Sequence, residues 1–294
     1  MKEITVLSGK GGTGKTSVTA ALASLAKDAV LCDSDVDAAD LHLILHPNVL
    51  ETHSFPGAWV AHIDASVCTN CGICMDHCRF GAIHLNGSGV HEIDPFKCEG
   101  CRLCERVCPV QAISSERSMH NAWYVSETRF GMMVHAAMGP GEENSGKLVT
   151  TCRKRAKEIA LAQHAVYILN DGPPGIGCPA IASITGSDAV LLVVEPTNSS
   201  LHDAKRLIQL IDSFRIPVFA VINKAGIHPE MSGRLQAFFR ERSIPLLGIL
   251  PFDEVVVRAM IEGQSVTEYS PESAISSILQ DVWDQLTRQL HPAR

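Results

Sequence analysis

Two groups of side chains in this 294-residue chain are spaced for chemistry. The first lies in the string SGKGGTGKTS, Ser8 to Ser17. Within it Gly9-x4-Gly14-Lys15-Thr16 fits the pattern G-x-x-x-x-G-K-[ST], whose glycine-rich backbone presents amides to phosphate oxygens where a helix begins. In such a loop the lysine, here Lys15, reaches the outer phosphates, and the Thr16 hydroxyl ligates magnesium. The stretch Gly9, Lys10, Gly11, Gly12, Thr13, Gly14, Lys15, Thr16 and Ser17 is therefore expected to bind ATP with Mg2+. Lys10 is one lysine more than the loop needs.

The second group is cysteine. Met1-Lys2-Glu3 runs straight into a strand-like segment with no leader pattern, so a cytoplasmic chain is expected. In that reducing compartment eleven cysteines point to metal or redox chemistry rather than disulfides. Eight of them form two runs, Cys68-x2-Cys71-x2-Cys74-x3-Cys78 and Cys98-x2-Cys101-x2-Cys104-x3-Cys108-Pro109. Thiolates two residues apart in a loop can reach three corners of a cubane, and the fourth ligand then comes from the other run. This predicts two 4Fe-4S clusters, one on Cys68, Cys71, Cys74 and Cys108, the other on Cys98, Cys101, Cys104 and Cys78. Structural zinc sites use well-separated cysteine pairs, so the third cysteine of each run argues against zinc. The pattern resembles bacterial two-cluster ferredoxins, with one departure: Arg79 stands where the second run has Pro109.

Such groups need a frame to position them. Short apolar runs alternate with helical stretches at Ile4–Ser8, Ala29–Asp33, Tyr167–Asp171, Ala189–Glu195, Val218–Asn223 and Leu246–Leu250, the signature of a parallel sheet covered by helices. Ligands of open α/β sheets collect at the carboxyl ends of strands, where Asp33, Asp171, Glu195 and Asn223 fall. The alternation stops between the second and third runs. There SVCTNCGICMDHCRFGAI (66–83) repeats as FKCEGCRLCERVCPVQAI (96–113) at a constant offset of 30, with NGSG (86–89) as a turn between the halves. The expected architecture is an α/β P-loop domain with a mostly parallel sheet, residues 1–55 and 120–294. Into it is inserted a small α+β ferredoxin-like domain, residues 56–119, which holds few large apolar side chains and would need metal to stay folded. In the tail, Ile275, Ile278, Leu279, Val282, Trp283 and Leu286 share one helical face; Asp281 and Asp284 stand where a membrane-surface helix would carry basic residues, so a packed closing helix is expected.

Composition excludes other classes. A net charge of −7 and a pI near 6.0 lack the basic excess that nucleic acid requires, and no window approaches the roughly 20 apolar residues of a membrane span. The thirteen histidines show no ligand spacing. Four carboxylates in CDSDVDAADLHLIL suggest a calcium loop, but an EF-hand requires Gly at Ala38 and Glu at Ile44.

The string KGGTGKT resembles the deviant phosphate loop of the MinD/ParA ATPases, a group that includes the nitrogenase iron protein and the Mrp-type carriers. The resemblance extends over roughly residues 1–50 and 140–265. It implies that Lys10 crosses a homodimer interface to the partner copy's nucleotide. CDSDVDAADLHLIL resembles switch I, implying that Asp35 positions the attacking water and that Asp33 lies near the magnesium. ILNDGPPGIG resembles switch II, implying that Asp171 holds magnesium through water and that the Gly172–Gly175 backbone senses the terminal phosphate. VINK and LPFD (250–253) resemble the base-binding segments, implying contacts from Asn223 and Pro251. Cys32 is expected to be a small buried hydrophobe. Cys178 lies seven residues after Asp171, as a bridging-cluster cysteine does in the nitrogenase iron protein, but GPGEENSG (139–146) contains no second cysteine and Cys152 falls inside a helix-like stretch. Together the motifs imply an ATPase in which nucleotide-dependent dimerisation gates electron transfer through two clusters, with a redox protein as donor or acceptor. The alternatives are an iron-sulfur carrier or assembly ATPase, and a MinD-like positioning or scaffold ATPase with a docking ferredoxin.

Overall fold

The computed structural model describes residues 1–139, 142 and 145–291. It contains a sheet of nine strands in the spatial order Leu246–Ile249, Val218–Ile222, Ala189–Val194, Lys2–Ser8, Tyr167–Pro174, Ala29–Asp33, Gly131–Ala137, Asn121–Thr128 and Asn48–Phe55. All six expected runs are strands of it, and they pair in parallel with their neighbours. The strand Ala189–Val194 shows why. Every residue is buried; Leu191 and Val193 join the apolar cluster on one face, while Val190, Leu192 and Val194 join the cluster on the other. Strands buried on both faces read as unbroken apolar runs.

Helices cover both faces. On one side Val18 and Leu22 of helix Lys15–Leu25 pack with Ile275, Leu279, Val282, Trp283 and Leu286 of helix Ala274–Leu290. The amphipathic tail is thus a closing helix, capped by the Ser273 hydroxyl on Ser276 N–H. On the other side Leu207, Ile208 and Ile211 of helix Asn198–Phe214 meet Leu235, Phe238 and Phe239 of helix Pro229–Glu241. Truncating a fully buried member such as Leu286 or Phe239 to Ala would cost about 2–5 kcal/mol.

Three strands, Asn48–Phe55, Asn121–Thr128 and Gly131–Ala137, were not among the expected runs. They carry the sheet beyond Ala29–Asp33, with Leu31 opposite Met133. Asn48–Phe55 is exposed or half-buried throughout, so its polar residues hide the apolar signal that the central strands display.

The chain divides into two compact units: Met1–His53, Trp123–Ala137 and Ser145–Arg294 in the first, Ser54–Ala122 and Met138–Asn144 in the second. The second unit is therefore slightly wider than 56–119 and takes in a later segment that lies outside the cysteine repeat. Within it the repeat in the sequence is a repeat in structure. Helix Ile73–His77 recurs as Leu103–Val107 at the same offset of 30, each following a left-handed residue, Gly72 and then Arg102. Strand Trp59–Ile63 pairs antiparallel with Ile113–Arg117, and Ile83–Leu85 with His91–Ile93. Asn86 and Gly89 close the expected turn, Gly89 N–H donating to Asn86 O and taking φ 73°. Ala61, Cys74, Ile83 and Ile113 form the unit's buried apolar cluster, a small core for its length.

Candidate nucleotide site and cysteine cavities

The phosphate loop leaves the strand Lys2–Ser8, which lies in the sheet between Ala189–Val194 and Tyr167–Pro174. Chain connections diverge at that point, the place where open α/β sheets form crevices. Gly12 and Gly14 adopt φ 79° and 88°, left-handed values that favour glycine, and helix Lys15–Leu25 begins directly after. A Cβ on Gly14 would collide with Nδ2 of Asn223.

Behind the loop stands a charged cluster. Lys15 Nζ lies 3.0 Å from Asp171 Oδ1 and 3.5 Å from Asp35 Oδ2. The hydroxyls of Thr16 and Thr19 each donate to Asp171 at 2.8 Å. Asp33 accepts from the backbone N–H of Asp35 and of Leu41 at 3.1 and 3.2 Å. Burial pushes the Asp33 carboxyl well above its usual range, and the Asp171 charge adds to the effect. Burial likewise pushes Asp35 up to about 6, against the opposing pull of Lys15. Burial disfavours the Lys15 charge, but Asp171, Asp35 and Asp33 outweigh it and raise its pKa. Three buried carboxylates around one ammonium leave negative charge in excess, which a divalent cation would offset. The Thr16 hydroxyl with Asp171 and Asp33 is thus a donor set that suits Mg2+, which is usually held by one or two carboxylates with water and phosphate oxygens.

A cavity of about 480 Å3 opens over the loop, lined by residues 11–17 with Asp35, Asn223 and Pro251. Gly9, Lys10, Asp33 and Asp171 do not line it. Asn223 instead binds the loop itself, donating from Nδ2 to Thr13 O at 2.8 Å. Lys10 folds back within its own chain: its Nζ lies 2.6 Å from Glu195 Oε1 and 3.2 Å from Ser199 Oγ. Glu195 also pairs with Lys224 at 3.1 Å, and Lys224 Nζ donates to Gly12 O at 2.6 Å. Sequence reasoning missed this clamp and the apolar wall of the cavity, where Phe252, Val257 and Met260 are exposed. The apolar face of helix Glu254–Ile261, placed directly after LPFD, was the available signal.

In the second unit the cysteines gather as two sets. One small cavity is lined by Cys68, Cys71, Cys74 and Cys108, the other by Cys78, Cys98, Cys101 and Cys104. All are free thiols. Burial raises the Cys74 thiol and pushes Cys104 up to about 11. Backbone amides face two sulfurs, Asn70 N–H on Cys68 Sγ at 3.4 Å and Ala112 N–H on Cys108 Sγ at 3.2 Å. The donor sets thus suit two four-thiolate groups. Among the described residues no three His, Cys, Asp or Glu side chains are arranged to hold a single metal ion. Cys32 is wholly buried with its thiol pushed up to about 12 by burial, Cys152 is wholly buried in helix Ser145–Ala162, and Cys178 is exposed. Part of GPGEENSG lies outside the described residues. Among the described residues no helix is long and apolar enough to cross a membrane.

A loop of this form at the carboxyl end of a central parallel strand, with a threonine and buried aspartates behind it, defines a P-loop nucleotide-binding protein. Residues 4–266 match the CobQ/CobB/MinD/ParA nucleotide binding domain, and the chain belongs to that family as a MinD/ParA-type P-loop ATPase. It is 34% identical over 230 residues to the uncharacterised protein MJ0578 of Methanocaldococcus jannaschii, covering 77% of this chain and 79% of that one. It is 24% identical over 289 residues to the septum site-determining protein MinD of Helicobacter pylori, covering 92% and 85%. Its fold is similar to that of MinD from Pyrococcus horikoshii complexed with Mg-ADP, with a TM-score of 0.60, 18% identity and coverage of 99% and 97%.

Proposed function

We propose that this chain is a cytoplasmic, nucleotide-switched ATPase that pairs with a second copy of itself on ATP and holds two 4Fe-4S clusters in an inserted ferredoxin-like domain. The observation that carries the reading is that the eight cysteines line two cavities, four to each, with the fourth cysteine of each set coming from the other repeat. A cubane spreads its thiolates over several irons, so its ligands need not converge as those of one ion do.

The chain's own groups divide the work of hydrolysis. The backbone of residues 9–14 and Lys15 bind the phosphates, Ser17 borders the nucleotide from the first turn of the helix, and Asp35 orients water toward the terminal phosphorus. Lys10, released from Glu195, would stabilise charge on the partner copy's nucleotide, and Asn223 and Pro251 would border the base. Magnesium held by Thr16 and, through water, by Asp171 and Asp33 would supply charge neutralisation on the phosphate oxygens. The clusters would supply one-electron chemistry for a redox protein donor or acceptor. Interlocked ligand sets, each drawing on both repeats, suit clusters that are kept rather than passed on.

The comparisons favour a second reading of how the ATPase is used. A relative whose name states a role, the Helicobacter protein, is a septum site-determining protein, which supports a positioning or scaffold ATPase; a Drosophila sechellia relative, 29% identical over 122 residues covering 35% of this chain, is named a cytosolic Fe-S cluster assembly factor, which supports one that assembles or carries clusters. One experiment separates these. Holoprotein is prepared without oxygen, its iron and sulfide are counted, and cluster reduction is followed by visible absorbance and paramagnetic resonance with ATP, ADP or no nucleotide. Nucleotide-dependent potentials or rates support gated electron transfer. Identical values in all three conditions overturn it and leave scaffolding, and delivery of clusters to an apo-acceptor supports the carrier.

A further inference from the structure

Asp35 stands on a loop tied back to its own start. The backbone N–H groups of Asp35 and Leu41 both donate to the Asp33 carboxylate, and helix Leu41–Leu45 follows at once. Five residues are too few to keep a helix by their own hydrogen bonds. Its last carbonyls have no partner within it and must be met from elsewhere.

Arg129, at the turn between strands Asn121–Thr128 and Gly131–Ala137, meets them. Its Nη1 donates to Leu45 O at 2.8 Å and its Nη2 to Ile44 O at 3.0 Å. Nη2 also lies 3.1 Å from Gly263 O, in the turn that ends the cavity-wall helix Glu254–Ile261. Glu268 holds the guanidinium from another edge, accepting from Nε at 2.6 Å and from Nη2 at 2.9 Å. Glu268 is fixed in turn: it accepts from the N–H and the hydroxyl of Ser265. Its helix, Val266–Tyr269, is tied to the phosphate-loop helix where Thr267 Oγ1 lies 2.6 Å from Ser24 Oγ. A second contact backs the first, since the His46 ring, closing helix Leu41–Leu45, packs on Gly263 where any Cβ would collide. Arg129 thus joins the helix after Asp35 to the helix that begins with Lys15 and Thr16.

Asp35 is also paired with Lys15 at 3.5 Å, but Lys15 turns to the phosphates when nucleotide binds. The hold on the loop then rests on Asp33 and on the helix that Arg129 anchors. Resting on the role given to Asp35 above, we propose that Arg129 is a positioning residue for hydrolysis, keeping Asp35 aligned with the phosphate loop once Lys15 has left it. Arg129 does not line the nucleotide cavity, so it acts through Asp35 and not on the nucleotide.

The test compares four proteins, the parent, Arg129→Lys, Asp35→Asn and the double variant, by single-turnover hydrolysis of ATP with Mg2+. Lysine keeps the charge beside Glu268 but lacks the planar fork that spans the two carbonyls. Arg129→Lys should slow hydrolysis about tenfold, because a small misplacement of a positioned group is costly, while ATP affinity and pairing stay as in the parent. In the Asp35→Asn background the same change should slow the residual rate no further, since the group it positions is gone. Arg129→Gln takes its place if the lysine protein does not fold. An unchanged rate, a fall matched by weaker ATP binding or pairing, or an equal slowing in the Asp35→Asn background overturns the proposal. If Asp35→Asn alone turns over at the parent's rate, the reading of Asp35 itself fails, and the proposal with it.

Discussion

Replacing Gly14 by alanine perturbs the phosphate loop in two separable ways. Gly14 has φ 88° and ψ 19°, and a residue with a Cβ pays roughly 1–2 kcal/mol to adopt that left-handed conformation. The new methyl would also collide with Asn223 Nδ2, the far end of a side chain that can swing aside. Swinging aside sacrifices the 2.8 Å bond from Asn223 to Thr13 O, worth about 1 kcal/mol. The expected total is roughly 2–3 kcal/mol, lost from the segment that must grip phosphate. The assay is urea unfolding of four nucleotide-free proteins: the parent, Gly14→Ala, Asn223→Ala and the double variant. In the Asn223→Ala background the methyl meets no amide, so Gly14→Ala should cost only its backbone part. The cycle then shows a coupling of about 1 kcal/mol. Equal costs for Gly14→Ala in both backgrounds would refute the assignment of Asn223 as the loop's brace.

Three further outcomes are expected. Lys10→Ala should still bind nucleotide but lose pairing and turnover, while Glu195→Gln, which removes the carboxylate clamping Lys10, should pair at lower ATP concentration; light scattering against ATP concentration measures pairing and phosphate release measures turnover, and unchanged curves would make Lys10 ordinary loop surface. His135 is buried against Tyr124 and His42, and burial, helped by the His42 charge, lowers its pKa to about 4 from 6.5. The unfolded chain therefore takes up this proton first, and about 3 kcal/mol of stability present above pH 6.5 is lost as pH falls toward 4. His135→Gln should flatten that part of the urea midpoint profile, and a variant as acid-sensitive as the parent would contradict it. Chelating iron from the holoprotein should abolish hydrogen-exchange protection at Trp59–Ile63 and Ile113–Arg117 while sparing Lys2–Ser8; protection retained in the cysteine-rich strands would mean that metal does not hold that unit folded.

How much of this was legible in the sequence depends on how local the physics is. Lys15 and Thr16 stand at fixed distances along one loop, and their use requires only that a strand precede and a helix follow. The unbroken apolar run AVLLVV is short and rich in β-branched valine, which favours a strand buried on both faces over a buried helix. The constant offset of 30 showed the duplication directly, and helices Ile73–His77 and Leu103–Val107 keep it. By contrast, Asn48–Phe55 mixes polar and apolar residues at the sheet edge, where half its surface faces water and periodicity carries little information.

Residue type and short-range spacing by themselves determined the phosphate loop, the central strands, the two cysteine runs and the closing helix, because backbone geometry over a few residues decides what such strings can do. Only the tertiary structure decided that Lys10 rests on Glu195, that Asn223 braces Thr13, that Asp33, Asp35 and Asp171 crowd around Lys15, and that the eight cysteines of the repeat part into two cavities, four to each. Those contacts join residues far apart in the chain, and their strength comes from exclusion of water, which packing alone creates.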